Sequence, residues 1–105
     1  MSVPASRPTP AFLHLRSIAT TVRPDSVLRT APHVAATKVA STKKRDDAEI
    51  RCWDKGSDVN DGHTHTNVWY YFNYVQDPTG IYQNVWSWGG NVSTDRDPPQ
   101  GLPRC

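Results

Sequence analysis

The chain has 105 residues, too few for more than one domain, and its formal net charge of +2 hides two unlike parts. Up to residue 45, eight Lys and Arg stand against Asp25 alone, a net +7. Beyond it four basic residues face nine acidic ones, a net −5 that works against gripping nucleic acid by its phosphates.

Residues 1–45 are rich in Arg, Ser, Thr and Ala and broken by five prolines, the composition of a largely disordered leader or pro-segment. Within it, Phe12, Leu15, Ile18, Ala19 and Val22 recur at helical spacing, which predicts a short basic amphipathic helix over 11–22. A mitochondrial presequence, a pro-segment and a tail with no address all fit that pattern. Its apolar runs are too short for a secretory signal, and no stretch of the chain is long and apolar enough to span a bilayer. Lys43-Lys44-Arg45 closes the segment, and an exposed basic triplet in a polar stretch is where a processing protease cuts. Cleavage after Arg45 would release Asp46 to Cys105 as the mature β-domain.

All six glycines and nine of the ten aromatics follow residue 45, so residues 46–105 are the part expected to fold. Glu49 to Trp53 reads as a first strand, and Lys55 to Gly62 as turn chemistry. His63-x-His65 comes next, with Asp61, Asp58 and Asp54 close by. Two His at i and i+2 on a strand point the same way, and a carboxylate could complete a metal site. A metal-binding protein or metal-dependent enzyme is therefore one alternative, its weak candidate ligands being His63, His65 and Asp61.

The densest signal lies between Asn67 and Gly90, where aromatic and β-branched residues flank Asp77-Pro78-Thr79-Gly80. That is a β-hairpin pattern, with Gly80 suited to a left-handed bulge position. A turn of that kind sets Asp77 opposite Ile81, Phe72 opposite Trp86 and Tyr70 opposite Trp88. Tyr70, Phe72, Tyr74, Tyr82, Trp86 and Trp88 would then share one face, with Trp69 and Tyr71 on the other. The fold class expected is mainly β: a small antiparallel sheet or sandwich built on the 67–90 hairpin.

After Gly90 the chain is turn-like. Pro98-Pro99 cannot donate to a ladder, so this stretch is a covering arm or an edge. Asn91-Val92-Ser93 is a glycosylation acceptor sequence. Cys52 and Cys105 bracket the aromatic region and belong to no C-x-x-C pair; one disulfide between them is the simplest use. That argues for an oxidising compartment, extracellular or alternatively the mitochondrial intermembrane space.

No phosphate loop, nucleophile elbow or framed carboxylate pair is present, and no cofactor is implied. The expectation is a secreted, non-enzymatic, monomeric protein whose aromatic hairpin surface engages a protein or carbohydrate target. Asn73, Tyr82, Gln83, Asn84, Trp86 and Trp88 are its expected contact residues. A toxin or inhibitor released by cleavage after Arg45 would use the same residue types.

Overall fold

The computed structural model describes residues 17–105. The elements are β1 (Ile18–Val22), β2 (Val27–Arg29), β3 (Lys38–Ser41), β4 (Asp46–Asn60), β5 (His65–Asp77) and β6 (Gly80–Trp88), then a 3₁₀ turn at Gly89–Asn91. The six strands make one sheet in the order β1-β4-β5-β6-β2-β3, and every pairing in it is antiparallel. β5 is the organising strand, because its Val, Trp, Tyr and Phe run suits a surface buried on both sides. β4 is rich in Asp and has little strand propensity of its own; its length is imposed by pairing with β5.

The order also dictates curvature. β1 and β2 are joined by only Arg23 to Ser26, yet β4, β5 and β6 lie between them in the sheet. In a flat sheet four strand spacings come to roughly 19 Å, which a tight turn of four residues does not reach. The sheet therefore curls, bringing Val22 of β1 and Leu28 of β2 into one core with Ile50, Tyr70, Phe72, Val75 and Val85. Residues after β6 close the open side: Val92 bridges to Val22, and Val92 and Leu102 join the core. Tyr70 donates its hydroxyl to Asp97 in this covering segment. Burial, and then that carboxylate, push the phenol well above its usual range.

Four corrections follow. The charge break at residue 45 is not a structural boundary, because β1, β2 and β3 precede it and Val22 and Leu28 are fully buried. Composition could not show this, since short strands need only one or two apolar residues each when a curled sheet closes over them. Ile18–Val22, assigned by its spacing to the end of a helix, is a strand paired with Asp46 to Ile50. The rest of the 11–22 helix lies outside the described residues. Lys55 to Asn60, read as turn, continues β4, with a register irregularity between Lys55 and Val59.

The fourth correction concerns β5 and β6. Asp77 pairs with Gly80, leaving a two-residue connection, so Tyr71 faces Trp86, Phe72 faces Val85 and Trp69 faces Trp88. The Asp77 carboxylate sets this turn, accepting from the Thr79 N–H at 3.0 Å and hydroxyl at 2.5 Å, and from the Lys43 N–H at 2.8 Å. Gly80 has φ +153°, not the left-handed value that a bulged turn uses. One residue of slip moves Trp86 and Trp88 to the other face.

Alternation is also interrupted along the strands. The core-facing set is Asp46, Ala48 and Ile50 and then Trp53 in β4, and Val75 and then Phe72, Tyr70 and Val68 in β5. Arg51 is left out of the ladder on β4 and Asn73 on β5, which are bulge positions. Asn84 at the same level of β6 has φ +57°.

Candidate functional site

The face away from the core carries the aromatics that the slip relocates. Trp69 is buried, with its indole N–H donated to the Ser57 carbonyl at 2.9 Å; Trp88 is buried too and donates to the Thr66 carbonyl at 2.9 Å. The loop before β3 lies over Trp69, held by the Ser57 N–H to the Pro32 carbonyl at 3.2 Å and the Val34 N–H to Ser57 Oγ at 3.1 Å. One step along the same strands Tyr71 and Trp86 are only half-buried, their ring centroids 5.1 Å apart and their planes at 45°.

Those two rings line a cleft of about 450 Å³ with Arg51, Cys52, Pro103, Arg104 and Cys105. This volume lies within the range of small-ligand sites. Cys52 pairs with Tyr71, which pairs with Trp86, so three adjacent strands supply one row. The Cys52–Cys105 disulfide forms a wall of the cleft and ties down the last residues of the arm. The arm runs along the edge of β4: the Trp53 N–H donates to the Pro103 carbonyl at 3.2 Å, and the Cys105 N–H to the Trp53 carbonyl at 2.8 Å. Proline's missing donors therefore do not prevent edge pairing, because Pro103 contributes only its carbonyl.

Electrostatically the two arginines differ. Arg104 lies over the Trp53 ring at 5.1 Å and places Nε and Nη2 both 3.0 Å from Asp54 Oδ1. The Lys55 N–H, and then Arg104, hold Asp54 below the usual carboxylate range. Arg51 is exposed and has no carboxylate within 4.0 Å among the described residues.

Of the expected contact residues, the cleft includes Trp86 alone. Trp88 is inside. The Asn73 amide donates to Glu49 Oε1 at 2.6 Å, Tyr82 packs against the core with its hydroxyl 2.8 Å from Thr79 Oγ1, and Gln83 and Asn84 are exposed toward the turn. Tyr71, Arg51 and Arg104 were missed. Reading Pro78-Thr79 as a two-residue loop would have set Tyr71 opposite Trp86.

The histidine group does not converge. Among the described residues no three His, Cys, Asp or Glu side chains are grouped as metal ligands. His65 Nε2 is 2.7 Å from Asp58, and Asp61 is taken by the Thr64 and His63 N–H groups and by Arg23 at 2.7 Å. Asn91 is partly committed, its amide donating to Ser87 Oγ at 3.2 Å and its carbonyl oxygen accepting from Arg23 Nε at 3.2 Å. Lys44 and Arg45 are exposed between β3 and β4, and Arg45 reaches Ser93 Oγ at 3.1 Å. No helix among the described residues is long and apolar enough to cross a membrane. No protein-family model, no curated protein and no solved structure matches this chain.

Proposed function

We propose that the protein is a secreted binding module without catalytic activity, and that the Tyr71–Trp86 cleft holds a sugar ring of a glycan. The observation that carries this reading is the tilted, half-buried ring pair at 5.1 Å inside a disulfide-walled cleft. Sugars offer a flat C–H face that aromatic rings hold well, and hydroxyls that need donors at the rim. Arg51 and Arg104 supply such donors. The rigidity supports the same reading: Tyr71 and Trp86 stand on paired strands and the wall is covalently closed, so little order is lost on binding. The disulfide supports the extracellular assignment, since it persists in an oxidising compartment. Release by cleavage after Arg45 fits less well, because Val22 and Leu28 upstream belong to the core.

The test is titration of intrinsic tryptophan fluorescence with a panel of neutral and acidic oligosaccharides. Saturable changes in the wild type, lost in Tyr71→Ala and Trp86→Ala but kept in Gln83→Ala, support the cleft. Wild-type protein that responds to no member of the panel overturns the glycan reading.

A further inference from the structure

The cleft's lining is charged in a way that a neutral sugar leaves unanswered. We infer that it selects an acidic sugar, carboxylated or sulfated, whose anion sits against Arg51 while its ring lies on Tyr71 and Trp86. This rests on the glycan reading above and narrows it.

Arg51 is the starting point. Four other described arginines have acceptors: Arg23 uses Asp61 and Asn91, Arg29 the Ala36 carbonyl, Arg45 Thr21 and Ser93, and Arg104 Asp54. Arg51 has none among the described residues, although it belongs to the part of the chain that carries net −5. Arg96 also lacks an acceptor there, but it does not line the cleft.

Backbone geometry makes the placement specific. Ile50 pairs with Phe72 and Cys52 with Tyr71, so Arg51 is the extra residue of a bulge. Strict alternation would send Arg51 and Cys52 to opposite faces. The bulge instead lets both line the cleft, while Trp53 returns to the core side. A cation, a disulfide and two rings are thus gathered at one point that regular pleating would divide.

Arg104 completes the polar side. Asp54 engages its Nε and Nη2 through one oxygen and fixes the guanidinium over Trp53, and its Nη1 has no partner among the described residues. Asp54 also cancels its charge, so the excess among the cleft's side chains is the single positive charge of Arg51, with which the Cys105 α-carboxylate makes no ion pair within 4.0 Å. One carboxylate or sulfate matches that excess, and a charge-assisted bond to guanidinium is roughly twice as strong as a neutral one. The rings favour a sugar over a bare anion, since an anion alone leaves both faces uncovered.

The experiment compares three ligands of equal length by calorimetry and tryptophan fluorescence: a uronic-acid oligosaccharide, its carboxyl-reduced neutral form, and a sulfated neutral oligosaccharide. At low salt an acidic ligand should bind about tenfold tighter than the carboxyl-reduced one, with the gap closing as salt is raised. The uronate and sulfate arms show which anion fits better. Arg51→Gln should abolish the gap, with acidic and carboxyl-reduced ligands binding equally and both more weakly than to the wild type, and Arg51→Lys should restore part of it. Circular dichroism and thermal midpoint verify that both variants fold. Equal binding of acidic and neutral forms overturns the acidic selectivity and leaves the glycan reading standing; silence to all three, with the wider panel also silent, overturns both. An acidic preference that survives Arg51→Gln places the anion elsewhere and overturns the inference. So does a poly-glutamate peptide that binds as tightly as the acidic sugar and is indifferent to Tyr71→Ala.

Discussion

Asp46 and Asp77 bring two carboxylates together in the buried part of the sheet. Asp47 pairs with Gln76, which puts Asp46 across from Asp77 on adjacent strands, and both are buried. No N–H or hydroxyl group among the described residues donates to either Asp46 oxygen, and its partner is the Asp77 carboxylate, with which it shares a proton. Burial, and then Asp77, push the Asp46 carboxyl from 3.8 up to about 7, with Lys44 opposing and Asp47 adding to the rise. Burial would raise Asp77 as well, but Asp46, the Thr79 hydroxyl and the Lys43 and Thr79 N–H groups together hold it well below its usual range. The folded pair therefore keeps one proton through the mildly acidic range. The sign follows from linkage. Between about pH 4 and 7 the native state holds a proton that the unfolded chain has released, so stability falls as pH rises. Below about pH 4 the unfolded chain takes up protons that native Asp77 and Asp61 refuse, so stability falls as pH drops. A maximum in thermal midpoint near pH 4 is expected, and Asp46→Asn should flatten the limb from 4 to 7. A midpoint that climbs steadily to neutral pH in both proteins would show that the pair shares no proton.

Among the elements, the β5–β6 register and the loop before β3 make separate predictions. Tyr71 and Trp86 are cross-strand partners in contact, so replacing both by Ala should reveal a coupling energy of about 0.5–1.5 kcal/mol. Phe72 and Trp86 lie on opposite faces, and their coupling should be close to zero; the reverse result would restore the one-residue-longer turn. The loop is pinned at Gly56, where an added Cβ would stand 1.7 Å from the Pro32 carbonyl oxygen and 2.9 Å from the Trp69 ring. The obstacle is backbone, so Gly56→Ala should lift the loop from Trp69 at a cost of about 1–3 kcal/mol. Red-shifted tryptophan emission and faster quenching would report it, while Gly62→Ala, whose Cβ has open space but whose φ of +91° strains a side chain, should cost some stability and leave the emission unchanged.

At the scale of the molecule, closure depends on residues the charge pattern sets apart. A chain starting at Asp46 lacks β1, β2 and β3 and uncovers Ile50, Val75 and Val85. It should fail to give a cooperative thermal transition, whereas Leu28→Ala in the full chain should retain one, destabilised by about 2–5 kcal/mol. A truncated protein that melts like the full chain would show that the curled sheet closes without them. The disulfide links residues 53 apart and in the chain-entropy model contributes about 4 kcal/mol. Reduction should lower the midpoint and release the arm from Trp53, read as loss of amide protection at Trp53 and Cys105.

The sequence by itself determined the class, the strength of the 67–90 region and the disulfide. Aromatic and β-branched density, turn residues and an isolated cysteine pair are local signals that need no partner to be read. It also put Trp86 among the candidate contact residues, and of those six the structure places Trp86 alone in the cleft. Tertiary structure alone decided the rest. Val22 and Leu28 become core only because β1 and β2 meet across a curled sheet, an event to which Asp46–Asn60 and His65–Trp88 contribute as much as they do. β4 is long because β5 holds it, so its Asp-rich sequence reads as loop. The register turns on how one carboxylate, Asp77, bonds Thr79 and Lys43, and a one-residue difference there exchanges the faces of every ring in β6. The cleft inherits all three decisions: Tyr71 reaches Trp86 by the register, Arg51 reaches Cys52 by a bulge, and Arg104 arrives from the far end of the chain by the disulfide.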